Sequence, residues 1–312
     1  MDRRQSGDAY FKPTVFADVS LDTAFKRVFA TDEFKAATIG MLNSIIKDRT
    51  IKDVKFINKV VPGEPANGRG AVVDVMCEDV DGSRFVVEMQ RAEQKFFMQR
   101  TVFYTAKIMS IYDLKKGDNT FVFPCTYMIS FLNFSAKELA GIQMEPGQCC
   151  IHYVTVDPES GQKLPSSPEY YFLDLTRAAN NLDDVLSEEE KWVYLLRETK
   201  NLKVVPEKLV GEPAFDAYFE GARYANFSEE DALAYQKDMM TQMDIMLAEQ
   251  HKFETGKKEG LKEGLKEGMV KGEAKGRSDS KLEIARAMKA KGLDVAMIAE
   301  CTGLTEEQIK EL

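Results

Sequence analysis

The sequence predicts an α/β fold that gives way to a helical C-terminal region. Three observations carry this. Strand-like apolar runs alternate with amphipathic segments over the first 175 residues, two of those runs flank an Asp-Gly pair, and helical patterning takes over beyond about residue 176.

Taken in order, SLDTAFKRVFA (20–30) reads as a short amphipathic helix with Phe25, Val28 and Phe29 facing inward. Asp22 and Lys26 stand one turn apart and can pair, either as a solvent-side ion pair or as part of a site. Thr31 is placed to cap a second helix, DEFKAATIGMLNSIIK. IKDVKFINKVV (51–61) reads as a strand, and PGEPANGRG, rich in Pro and Gly, as a loop. RGAVVDVMCEDVDGSRFVVEMQ (69–90) then reads as an antiparallel hairpin turning near Asp81-Gly82. Residues 93–117 form a long aromatic-rich helix closed by Gly117. FVFPCTYMISFLNF (121–134), CCIHYVTV (149–156) and YYFLDL (170–175) complete the strands.

SEEEKWVYLLRETK and SEEDALAYQKDMMTQMDIMLAEQHKFE are helical, with the methionines read as packing residues. Gly256, Gly260, Gly264, Gly268, Gly272 and Gly276 then recur with Glu and Lys between them. Glycine costs a helix about 1 kcal/mol relative to alanine, and a four-residue repeat drifts ~40° per step around a 3.6-residue turn. The segment is therefore a flexible charged linker or a helix with a winding glycine stripe that another helix can approach. Residues 277–312 read as three helices, with Thr305 and Gln308 forming a capping box. IAECTGLTEEQI resembles a helix-turn-helix. Six Lys/Arg against seven Asp/Glu, and a last helix opening TEEQ, suit a DNA groove poorly, so protein–protein packing is the expected use. The expected organisation is a core over 1–175, a helical region over 176–255 packing on or extending it, a linker helix over 256–276 and a small helical segment over 277–312.

Composition narrows the chemistry. The 312 residues are 44% hydrophobic, with no apolar run long enough to span a membrane and no apolar signal segment in MDRRQSGDAYFKPT, which points to the cytoplasm. Five cysteines at irregular spacing give neither a disulfide framework nor a zinc pattern and read as buried thiols. With two histidines, a His-based triad or His-rich metal site is disfavoured, and His152 is read as structural. The net charge of −9 argues against non-specific coating of nucleic acid, yet residues 84–118 carry a local charge of +3. Within that patch Arg91, Arg100, Tyr104 and Lys107 are the candidate nucleic-acid contacts; the last three share a helix face that can reach phosphates or simply be solvated.

The hairpin poses the functional question. Its strands are apolar, yet Asp74 interrupts the first, and Glu88 and Gln90 share one face of the second. An ionised carboxylate is costly to bury unless it is paired or binds a metal. A strict two-residue turn sets Asp74 opposite Met89, on the wrong face. An odd-length loop or a bulge sets it opposite Glu88 or Gln90, so one such irregularity is expected if the three residues work together.

The run from DTAFKRVF through VVD…DG…VVEMQ to QRTVFYTAKIMSIYDLKKGDNTF resembles the PD-(D/E)XK nuclease family transposases, also called the recombination-promoting nuclease or Rpn family. The glycine repeat and compact C-terminus resemble the same family. The resemblance implies a restriction-endonuclease-like mixed β-sheet flanked by helices. It makes Asp74 the motif aspartate, puts Glu88 and Gln90 in the (D/E)XK positions, and matches Asp22 to the acidic position of the leading helix. Val73 stands where the motif has Pro, and Gln90 where it has Lys, as in the Rpn-type EXQ motif. Gln cannot carry a proton as acid or base but can orient a water or contact a phosphate; basic assistance then falls to Lys26, to Arg100 or to the metal.

The expected function is a Mg²⁺- or Mn²⁺-dependent DNA endonuclease linked to recombination or mobile elements, with Asp74 and Glu88 as metal ligands. The alternative is a catalytically idle module of the same fold that binds DNA or protein. DNA is the expected partner, and self-association through the C-terminal region is expected.

Overall fold

The computed structural model describes residues 14–57, 60–61, 71–110, 124–136 and 144–312. The chain divides into two compact units, Met1–Met240 and Thr241–Leu312.

In the first unit, α1 (Asp22–Phe29) and α2 (Lys35–Ile45) precede β1 (Val54–Phe56). Next come the short β2 (Val60–Val61) and β3 (Ala71–Val72), then β4 (Val75–Asp79) and β5 (Arg84–Gln90). After α3 (Phe97–Ser110) follow β6 (Thr126–Leu132), β7 (Cys150–Tyr153) and β8 (Glu169–Asp174). The unit closes with α4 (Glu188–Glu198), α5 (Pro213–Ala222) and the beginning of α6 (Glu229–Ala290).

The main sheet has six strands in the order β1-β4-β5-β6-β8-β7. β5, β6 and β8 run parallel, while β1, β4 and β7 pair antiparallel, which makes the sheet mixed. β6 is buried along its whole length, Thr126 and Ser130 included, as a central strand of a doubly covered sheet should be. Alternate residues serve alternate faces. Val75, Cys77, Phe85, Val87, Ile129 and Phe131 join the large core with α1, α2, α4 and α5, whereas Met76, Val86 and Met128 pack with Ile108 of α3. Trp192 organises the larger cluster, with Phe215, Tyr218 and Phe29 at centroid distances of 4.9, 5.6 and 6.0 Å. Gly40 permits the close approach of α2 to α5: a Cβ there would lie 2.3 Å from the Cβ of Ala214. α4 starts with a complete capping box at Ser187 and Glu190.

Several local expectations change. Thr31 does not cap α2; its hydroxyl donates to the carbonyl of Arg27 at 2.8 Å, one turn back, and α2 begins at Lys35 without a side-chain cap. The strand expected over 51–61 divides into β1, in the main sheet, and β2, paired with β3. The helix expected from residue 93 starts at Phe97; its expected end at Gly117 lies outside the described residues, as does the PGEPANGRG loop. Cys77 and Cys149 are buried and Cys301 is exposed, so the expectation of buried thiols fails for Cys301.

The glycine repeat is helical, lying within the continuous α6. Leu, Lys and Glu between the glycines favour a helix, and i,i+4 pairs such as Lys271–Glu267 at 3.2 Å contribute a few tenths of a kcal/mol each. The second unit contains the rest of α6, α7 (Val295–Thr302) and α8 (Glu306–Lys310), packed around Ala285, Ile298 and Ile309. Asp294 caps α7, Gly303 closes it with φ +67°, and Thr305 with Gln308 forms the expected capping box on α8.

Candidate active site

The geometry begins with the hairpin loop. Asp79 and Ser83 close it, the Asp79 amide donating to the Ser83 carbonyl at 3.1 Å, so the connection Val80-Asp81-Gly82 has an odd length. Gly82 takes φ +83°, a left-handed conformation that suits glycine. Arg49 fastens the turn by pairing with Asp79 and, at 2.7 Å, with Asp81. The resulting register sets Val75 opposite Val87 and Met76 opposite Val86, which brings Asp74 level with Glu88. This is one of the two irregularities expected from the sequence.

Asp74 sits at a bend just before β4 and is knitted to β5 twice. Its Oδ2 accepts from the Met89 amide at 2.9 Å, and its own amide donates to Glu88 Oε1 at 3.3 Å. Burial, and next the Asp74 charge, push the Glu88 carboxyl from an ordinary value of 4.5 up to about 8; the Asp74 amide, Arg100 and Lys26 pull the other way.

Helices approach from both sides of the sheet end. From α1, Lys26 lies 2.5 Å from Asp22 and 3.9 Å from Asp74, so Asp22, Lys26 and Asp74 form one chain of charges. From α3, Arg100 Nη2 donates to Gln90 Oε1 at 2.8 Å, Nη1 reaches Gln94, and the guanidinium lies over the rings of Phe97 and Tyr104. Gln90 is 6% exposed, and its Nε2 donates to the Ala92 carbonyl at 2.7 Å, so its amide is engaged at both ends.

The remaining candidates are placed differently. Arg91 turns inward: Nε and Nη1 are buried with no hydrogen-bond partner, and burial lowers its pKa against the pull of Asp18, Tyr235 and Asp238. Tyr104 packs partly buried against the cluster of Val73, Met76 and Val86. Lys107 lies 6.0 Å from the ring of Phe103. His152, on β7, stacks on Tyr171 and pairs with Glu169 at 2.7 Å, three strands across the sheet from Glu88 on β5.

Sequence reasoning missed what holds α1. Leu21, at its N-cap, offers no side-chain acceptor. Asp238 of α6 supplies one from 215 residues away, accepting from the Thr23 amide at 2.8 Å and its hydroxyl at 2.6 Å. Tyr235 accepts from the Asp18 amide at 2.7 Å, and Asp231 pairs with Arg27 at 3.0 Å. Residues 231, 235 and 238 lie on one face of α6, so this face clamps the helix that carries Asp22 and Lys26. The i, i+4, i+7 spacing is visible in the sequence; its partner is not.

For a metal, two carboxylates are available. Among the described residues no group of three or more His, Cys, Asp or Glu side chains is arranged to hold an ion. Asp74 and Glu88 nevertheless fit a hard divalent cation: both offer oxygen, and Mg²⁺ commonly takes one or two carboxylates and completes its shell with water and substrate phosphate. The elevated Glu88 carboxyl marks a place where added positive charge is favourable.

A mixed sheet flanked by helices, with paired carboxylates on an antiparallel hairpin and a helical C-terminal region, defines the PD-(D/E)XK nuclease fold class. The chain belongs to the PD-(D/E)XK nuclease family transposases, whose family model matches residues 19–250. Residues 279–312 match a second model, the C-terminal HTH domain of the Rpn/YhgA-like nuclease family. No curated protein and no solved structure matches the chain. Family membership supports a nuclease or mobile-element role, and the HTH match suggests DNA binding.

Proposed function

We propose that the protein is a Mg²⁺- or Mn²⁺-dependent DNA endonuclease acting in recombination or on mobile elements, with Asp74 and Glu88 as metal ligands. The observation that carries this reading is the three-residue hairpin loop, which brings the two carboxylates level and ties each to the other's strand. A bound divalent ion supplies charge neutralisation at the phosphoryl oxygens and a more acidic water. Lys26, held by Asp22, places a cation beside Asp74, the service a lysine in the (D/E)XK motif would otherwise provide. Gln90 anchors Arg100 and carries no proton; Arg100 offers its guanidinium to a phosphate oxygen.

The test is nicking of supercoiled plasmid with Mg²⁺ and with chelator. Asp74→Ala should abolish the metal-dependent product while circular dichroism stays unchanged. Retained nicking by the purified variant would reject the assignment. The absence of a third clustered ligand among the described residues favours a second reading, a non-cleaving DNA- or protein-binding module. Wild-type protein that retards DNA but never nicks it, in Mg²⁺ or in Mn²⁺, would establish that reading.

We read the C-terminal unit as an assembly element that pairs two active sites. Its last helix opens with Glu306 and Glu307, which repel phosphate, and residues 277–312 sum to a charge of −1. Truncation after residue 255 should lower the number of chains per particle, taken from the mass measured by light scattering divided by the chain mass. An unchanged number rejects assembly, and lost DNA affinity at an unchanged number favours the DNA-binding use that an HTH domain suggests. Among the described residues no helix is long and apolar enough to cross a membrane; we place the activity in the cytoplasm, where such DNA would be met.

A further inference from the structure

The solvent side of α3 differs from the sequence expectation. Tyr104 packs inward, and two phenylalanines are exposed instead: Phe96, 63% exposed just before the helix, and Phe103, 41% exposed. Arg100, Phe103 and Lys107 fall at spacings of three and four on one face of α3, and Phe96 stands at its N-terminal end, its carbonyl accepting from the Arg100 amide at 2.9 Å, so that aromatic and cationic residues alternate along the chain. Lys95 Nζ stands 5.1 Å from the Phe96 ring centre, and Lys107 Nζ stands 6.0 Å from that of Phe103. Residues 95–110 contain Lys95, Arg100 and Lys107 and no acidic residue, in a chain whose net charge is −9.

Phe96 also has an unusual backbone. Its φ is +65°, a left-handed conformation that costs an aromatic residue energy and that glycine would adopt freely. Because the side chain is largely exposed, little packing offsets the strain. The fold would do as well or better with glycine here. Strained residues that the fold does not need cluster at functional sites. This one lies four residues before Arg100, whose guanidinium bonds Gln90 beside Glu88.

We propose that the Phe96–Lys107 face of α3 binds a DNA strand with unpaired bases, Phe96 and Phe103 stacking on bases while Lys95, Arg100 and Lys107 follow the phosphates. This rests on the nuclease reading of the neighbouring carboxylates and names its substrate class: single-stranded or locally unpaired DNA. Alternating cations and exposed rings match such a strand in both charge and chemistry, since base faces stack on aromatic rings without regard to sequence. A paired duplex hides those faces and leaves the rings unused.

Full-length protein without divalent metal is titrated with a labelled single-stranded oligonucleotide and with its matched duplex. Phe96→Gly should weaken single-strand binding about 10-fold, within the range of one lost stacking contact, and change duplex binding less than about twofold. The thermal midpoint should hold or rise, because glycine relieves the strain. Phe103→Ala should repeat the selective loss and serves if Phe96→Gly is poorly produced. The proposal is overturned if single-strand affinity is unchanged in both variants, if both DNA forms weaken equally, or if Phe96→Gly lowers the thermal midpoint as a packing residue would. The nuclease reading is judged separately by wild-type plasmid nicking in Mg²⁺: nicking with unchanged Phe96→Gly binding removes only the stacking role, whereas selective loss in a protein that never nicks removes only the cleavage.

Discussion

A buried and a half-buried glutamate in one sheet have opposite surroundings. Glu169, at the start of β8, is 1% exposed and is met by Lys163, by His152 at 2.7 Å and by the Tyr171 hydroxyl at 3.2 Å. Burial alone would raise its pKa; the hydrogen bonds and charges of Lys163 and His152 outweigh burial and leave it lowered. Glu88, near the end of β5, has a second carboxylate for its neighbour, and its pKa is raised to about 8. A carboxylate surrounded by donors is part of the fold's own hydrogen bonding. One set beside another acid costs the fold and makes sense where something positive is to be bound.

The largest effect that can break this contrast is on activity. Glu88→Gln should reduce Mg²⁺-dependent nicking on the order of 10³-fold, while Glu169→Gln should leave the turnover of folded protein nearly unaffected. Equal losses in the two variants would mean that the contrast reports only burial.

Gln90 should fall between them. Gln90→Ala, which releases Arg100, should slow cleavage about 10-fold with a smaller change in thermal midpoint, and Gln90→Lys should keep measurable activity. Nicking at the wild-type rate by Gln90→Ala would reduce Gln90 to packing.

Stability should respond with opposite signs. Glu169→Gln should destabilise the metal-free protein by about 1–3 kcal/mol, because hydrogen bonds to a buried charged acceptor are lost. Glu88→Gln, measured at pH 9 by denaturant titration, should be stabilising by about 1 kcal/mol or more, because the cost of ionising a carboxyl beside Asp74 is removed. Destabilisation by both would show that Glu88 is as well satisfied as Glu169.

The pH dependence sharpens the same comparison. Glu88 binds its proton more tightly folded than unfolded, so its contribution is complete below about pH 4.5 and is lost as pH rises to about 8, each unit costing on the order of 1.4 kcal/mol. Glu169, with a lowered pKa, contributes above the ordinary glutamate range and loses that contribution as pH falls through its folded value. Metal-free stability between pH 5 and pH 8 should therefore fall in the wild type and flatten in Glu88→Gln.

What the sequence by itself determined is what neighbours along the chain decide. The Asp22–Lys26 pair lies one turn apart on α1, the capping box at Thr305 and Gln308 spans four residues, and the apolar faces of β4 and β5 follow strict alternation. The two-residue parity of a strand also shows that Asp74 and Glu88 meet only through an odd loop or a bulge. Tertiary structure decided which irregularity occurs, through Gly82, Ser83 and the grip of Arg49 on the turn. It turned Arg91 and Tyr104 inward, exposed Phe96 and Phe103, and brought Asp238 to the amide of Thr23. These outcomes depend on which surfaces meet across scores or hundreds of residues, and local pattern gives an amphipathic face without naming the face it packs against.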